Sequence, residues 1–174
     1  GQAFSGLNAG LCAHRGLWLA VPKTIGPRFD IWSGEIMPSN IAVELEVLAP
    51  RTESLRFLKH GWPDPLCRWH SHKECEIHLL VATHGKAFVG DYIGDFAPGS
   101  LFLTGPHLPH NWITDDADSD PVELRDLVIQ FDQDRLTTLM EAFPEFNSLN
   151  AMLEQAQSGI EFAGIDPAPV RALI

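Results

Sequence analysis

Residues 68–78 read RWHSHKECEIH. Three histidines (His70, His72, His78) and two glutamates (Glu74, Glu76) fall at even positions, so a single strand would carry all five on one face. In a chain that is 45% hydrophobic, that concentration of protonatable groups needs a reason. A turn at residues 73–75 supplies one, and Lys73-Glu74 suits a turn. His70 and His72 then lie on one side of a first strand, roughly 6–7 Å apart at Cβ. Glu76 opens the next strand and faces the same interior. On this reading Glu74 is a solvated turn carboxylate and Cys75 points away from the interior as a structural thiol.

The flanks support short strands. EIHLLVAT (76–83) is strand-like, and His84-Gly85 has the character of a two-residue hairpin turn whose glycine accommodates positive φ. KAFVGDYIGDF follows, then a Pro98-Gly99 turn and the apolar run SLFLT (100–104). After GPHLPHNW (105–112) come the acidic loop DDADSDP (115–121) and the apolar strand LRDLVIQF (124–131). Upstream, IAVELEVL (41–48) and SLRFLKH (54–60) alternate. Short strands punctuated by Gly, Pro and Asp predict a sandwich or small barrel over residues 37–131.

The texture changes at 132. Asp132 or Asp134 suits a helix cap, after which Leu136, Leu139, Met140 and Phe143 recur at helical spacing. Pro144 interrupts, and Phe146, Leu149, Leu153 and Ala156 continue in a second helix that Gly159 ends. Asp166-Pro167 starts a third. It is two turns long at Ile174, which predicts a parent protein that continues past this helical region, 132–174. Residues 1–36 mix Gly and Pro with scattered apolar residues, and read either as an N-terminal extension or as an ordinary strand and loop.

Charge narrows the function. Twelve Lys and Arg stand against 23 Asp and Glu, a net charge of −11, with no basic cluster and no zinc-finger spacing. Nucleic-acid affinity depends on neutralising phosphates, so this chain alone is not expected to hold DNA or RNA. No apolar run approaches the roughly 20 residues that span a bilayer. The three cysteines (Cys12, Cys67, Cys75) do not form a disulfide framework, and a cytoplasmic location is expected.

Two imidazoles and a carboxylate on one interior suit a divalent cation, and His107 or His110 of GPHLPHNW offers a fourth ligand. That donor set fits Zn²⁺, Ni²⁺, Fe²⁺ or Mn²⁺. A pocket lining that holds no ion is the alternative.

With His70-x-His72-x3-Glu76, Gly85, Pro98-Gly99 and a distal His110, the chain resembles the two-part cupin motif. The fuller string from Trp69 to Trp112, with FVGD, FAPG and GPHLPHNW in order, more closely resembles the sensor half of AraC/XylS-type transcription regulators. The likeness extends more loosely to 174, through FPEF and LEQAQSGIEF. It implies a double-stranded β-helix (jelly-roll) barrel followed by helices. The metal set would be His70, His72, Glu76 and His110, with His78 and Trp112 beside it in a pocket for a small-molecule effector. Helices in 132–174 would form a homodimer, and DNA would be met only through a helix-turn-helix domain beyond this chain. No residue is assigned a catalytic role. A free-standing metal-dependent cupin enzyme, a dioxygenase or isomerase, is the alternative. His78, Cys75 and His107 depart from the family's usual residues. His78 is either an effector contact or a hydrogen-bonded core histidine, and Trp112 either stacks on a ligand or packs.

Overall fold

The computed structural model describes residues 42–46, 53–65, 67–115 and 120–174, with the backbone of Lys23–Thr24. In chain order the strands are β1 (Lys23–Thr24), β2 (Glu44–Leu45), β3 (Leu55–Trp62), β4 (His70–Ser71), β5 (Cys75–Leu80) and β6 (Gly85–Val89). They continue with β7 (Tyr92–Phe96), β8 (Leu101–Thr104), β9 (His110–Thr114), β10 (Val122–Phe131) and β11 (Ile160–Glu161). One sheet has the order β1-β11-β8-β5-β10-β3 and the other β2-β4-β9-β6-β7. The chain is thus mainly β, a two-sheet sandwich with helices after it. Most of the expected segment 1–36 lies outside the described residues, as do Met37, Cys12 and positions 116–119 of the acidic loop.

Alternation decides what each strand buries. Leu80 and Phe102 from the first sheet meet Ala87, Val89, Phe96 and Trp112 from the second, forming the core between the sheets. The opposite face of the first sheet is also covered. Cys75 and Leu103 pack there with Ala156 and Ile160, while Leu79, Leu101 and Leu127 meet Val170 and Ile174. Both faces of β8 are therefore buried, which is why Leu101, Phe102 and Leu103 are all apolar rather than alternating. Cys75 points away from the inter-sheet space as expected. Burial first, then Asp132 and Glu74, push its thiol up to about 12.

The bend at residues 72–74 carries the chain from β4 in one sheet to β5 in the other. His84-Gly85 does not make the expected hairpin, since β5 and β6 belong to different sheets. Gly85 is instead the first residue of β6, where a Cβ would lie 2.0 Å from the Ile113 carbonyl oxygen of β9. Its missing side chain serves a close approach of backbones, not a turn. The real hairpin joins β6 to β7 inside KAFVGDYIGDF, with Gly90 at φ 60° in its turn.

Helix α1 (Gln133–Ala142) is capped by Asp132, whose carboxylate accepts from the backbone N–H groups of Asp134 and Arg135. The region expected as one second helix divides into a 3₁₀ turn (Pro144–Leu149) and α2 (Asn150–Ala156). Proline cannot donate a backbone hydrogen bond, and a tightened turn follows it. Helix α3 (Pro167–Leu173) starts at Asp166, which caps Ala168 N–H. No helix among the described residues is long and apolar enough to cross a membrane.

This layering predicts the mutational pattern. Gly85→Ala is expected to cost about 1–3 kcal/mol through the forced backbone shift, and Leu103→Ala about 2–5 kcal/mol. Glu141→Ala on the exposed face of α1 should stay within about 0.5 kcal/mol. Urea unfolding followed by circular dichroism measures all three.

Candidate metal centre

Three histidines converge between the sheets. His70 on β4 is the direct cross-strand partner of His110 on β9, and His72 follows at the bend. One ring nitrogen from each lies within 4.8 Å of the other two. Ring centroids are 4.5 Å apart for His70–His110, 5.0 Å for His72–His110 and 5.6 Å for His70–His72. Of the two candidates in GPHLPHNW, His110 is the one turned inward; His107 is exposed, at φ 60°, and its backbone N–H bonds to the His72 carbonyl.

Each imidazole is held by its Nδ1 on a main-chain carbonyl. His70 Nδ1 lies 2.7 Å from the Arg68 oxygen, His72 Nδ1 3.1 Å from that of Glu74, and His110 Nδ1 2.7 Å from that of Leu108. A carbonyl only accepts, so Nδ1 carries a proton in all three and Nε2 meets the other partner; where that partner is the Glu76 carboxylate, as for His72, Nε2 carries a proton too and must give it up to bind an ion. His110 Nε2 is buried with no hydrogen-bond partner. Burial first holds His110 down to about 3, the neighbouring His70 and His72 adding to the effect against Glu76, so that nitrogen keeps a bare lone pair. A carbonyl that fixes the tautomer while the far nitrogen points inward is the usual support of a metal-ligating histidine.

Glu76 touches two members of this set. Its Oε2 is 3.1 Å from His72 Nε2, and its Oε1 is 3.7 Å from His110 Nε2. The same carboxylate accepts from His78 Nδ1 at 2.8 Å and from Gln130 Nε2 at 3.0 Å. Burial alone would raise its pKa, but the His72 and His78 hydrogen bonds and the nearby imidazole charge hold it well below the usual range. For His72, burial lowers the pKa, and the Glu76 hydrogen bond and charge with Glu74 outweigh it, raising it overall. The three imidazoles could hold a metal ion, with Glu76 beside them as the fourth predicted ligand. Glu74 contributes chiefly its carbonyl, its carboxylate standing 3.8 Å from His72 Nδ1.

Cross-strand register explains this crowding. Arg56, Gln130, Glu76 and Thr104 are successive Cα partners across β3, β10, β5 and β8, so their side chains share a face. The next row inward is Leu58, Val128, His78 and Phe102. His78 is both a core and a pocket residue: it stacks on Trp112 at 3.8 Å, and both line a cavity of about 40 Å³. Its Nε2 is 3.4 Å from Asp126 Oδ2. Burial lowers the His78 pKa, but Asp126 and Glu76 together raise it to about 9.

Sequence reasoning missed several groups. Glu46 Oε2 lies 3.7 Å from His70 Nε2. Asp126 is fully buried, accepting from Arg125 Nε at 2.7 Å and lying 2.7 Å from His60 Nδ1. Gln130 bridges Arg56 to Glu76. The signal for the last two was their even spacing in LRDLVIQF, where Asp126 and Gln130 fall on the interior face of an otherwise apolar strand. No family model matches the chain, and no curated protein matches it.

Two outcomes test this geometry. Purified protein should carry about one equivalent of divalent metal by elemental analysis, the His70→Ala/His72→Ala double variant almost none, and His107→Ala the wild-type amount. Asp126→Asn should cost about 3–5 kcal/mol at pH 7, since it leaves Arg125 and His78 in the interior without their counter-charge. Asp126 has a depressed folded pKa, through His78, His60 and Arg125 acting against burial, so its stabilisation is present above its unfolded pKa near 3.9 and is lost as pH falls below it. The gap between wild type and variant in urea titrations should therefore close in acid.

Proposed function

We propose that the chain is the regulatory, effector-sensing domain of an AraC/XylS-type transcription regulator, built on a cupin-type jelly-roll whose interior binds a divalent cation and a small molecule. The observation that carries the metal part is the set of three inward Nε2 atoms, each presented by an Nδ1 held on a backbone carbonyl. In this reading His70, His72, His110 and Glu76 hold the ion, which supplies a Lewis-acidic centre for an oxygen or nitrogen of the effector. His78 and Trp112 form the adjoining wall.

The regulator assignment is supported by the motif order along residues 69–112 and by the acidic charge of a half that does not itself meet nucleic acid. The helical region also fits. Leu139, Phe143 and Phe146 are 43%, 53% and 42% exposed, an apolar set on the helical segment where the resemblance implies pairing. An effector switches such a protein only through different affinities for two arrangements of that segment. The cavity is much smaller than the roughly 300–1,000 Å³ typical of drug-sized ligands, so the effector has few heavy atoms.

Light scattering at micromolar concentration tests the assembly. The 19.3 kDa chain should run as a dimer and Phe143→Asp/Phe146→Asp as a monomer with unchanged circular dichroism. A wild-type monomer would count against the sensor reading and towards a free-standing metal-dependent enzyme.

A further inference from the structure

The inter-sheet cavity extends from the histidine cluster past Glu76 and His78 to Arg56 and Arg125. Its charges are mostly matched. Arg125 is paired with Asp126 through Nη2 at 2.6 Å and lies over the Trp62 ring. Glu76 faces His72 and His78, and Glu46 faces His70. Arg56 is different. Among the described residues its guanidinium has no carboxylate partner, and its one hydrogen bond is Nη1 to Gln130 Oε1 at 3.3 Å. Arg56 Nε is buried without a partner.

A half-buried guanidinium with an unused inward donor is unfavourable unless something anionic meets it. Arginine presents its donors as a planar fork that matches a carboxylate. We propose that this cavity binds a small organic carboxylate, its anionic end on the Arg56 guanidinium and its body directed along the Gln130–Glu76 row toward the three imidazoles.

Three features select that class. Gln130 is the only side chain in the hydrogen-bonded path from Arg56 to Glu76, so a ligand of a few heavy atoms spans the distance. Leu58, two residues from Arg56 on the same face of β3, gives the carbon chain an apolar wall, and Trp112 Nε1 is another buried donor without a partner in the same lining. Among the described residues lining the cavity Arg56 is the cation without a carboxylate partner, which suits one negative charge better than a phosphate dianion in about 40 Å³.

The inference rests on the reading of the interior as a ligand site, and the experiment separates the two. Calorimetric titrations would compare acetate, propionate, pyruvate and glycolate with acetamide, propionamide and inorganic phosphate, on metal-loaded and chelator-treated protein. At least one carboxylate should bind more tightly than its amide. Arg56→Gln should weaken it at least tenfold with metal content unchanged, and Arg56→Lys should fall between, because it keeps the charge and loses the fork. If Arg56→Gln fails to fold, the Arg56→Lys value decides: no loss of affinity overturns the proposal. Equal binding of amide and acid, or preferred binding of phosphate, overturns the carboxylate but leaves a ligand site. Binding of none overturns both.

Discussion

The site depends on where three imidazole protons go. Each of His70, His72 and His110 gives its Nδ1 proton to a main-chain carbonyl within two residues of itself. Those carbonyls belong to the bends and the loop that lead into β4, β5 and β9, so the backbone fixes both the tautomer and the ring direction. Without that anchoring, three imidazoles, two of them buried and His70 half-buried, would have rotational freedom and each would seek its own partner. With it, the Nε2 atoms are aimed at one another, and the bare His110 nitrogen is left enclosed beside His70, His72 and Glu76, without a hydrogen-bond donor, where an orphaned acceptor is costly.

Around that anchor, charge is balanced by alternation. His72, Glu76, His78, Asp126 and His60 form a row in which imidazoles and carboxylates take turns, every neighbouring pair between 2.7 and 3.4 Å. Arg125 closes the far end on Asp126. A buried row of this kind is stable only when each charge has an opposite neighbour, and removing one member leaves the next uncompensated. Asp126 in the fully buried centre and Glu76 beside the histidines are therefore structural as well as chemical.

The period of two in RWHSHKECEIH was enough to foresee a turn inside the stretch, the shared interior of His70, His72 and Glu76, and the outward Cys75. Asp132, Gly159 and Asp166 likewise marked helix ends by residue type, because caps and left-handed glycines act locally. What was not legible depends on long-range pairing. Gly85 looks like a turn residue until β9 lies beside it, and Gln130 looks like one polar residue in an apolar strand until register sets it between Arg56 and Glu76. Glu46 enters the site only through the parallel pairing of β2 with β4, a contact that spacing along the chain cannot announce.

Nitrogen-15 NMR of the histidine rings tests the central claim most directly. In chelator-treated protein His110 should show a neutral ring protonated at Nδ1. Stoichiometric Zn²⁺ should then move the Nε2 resonances of His70, His72 and His110 together, leaving those of His107 and His84 in place. Protonation of His110 at Nε2 in the metal-free protein, or zinc-induced shifts that bypass these three nitrogens, would contradict it.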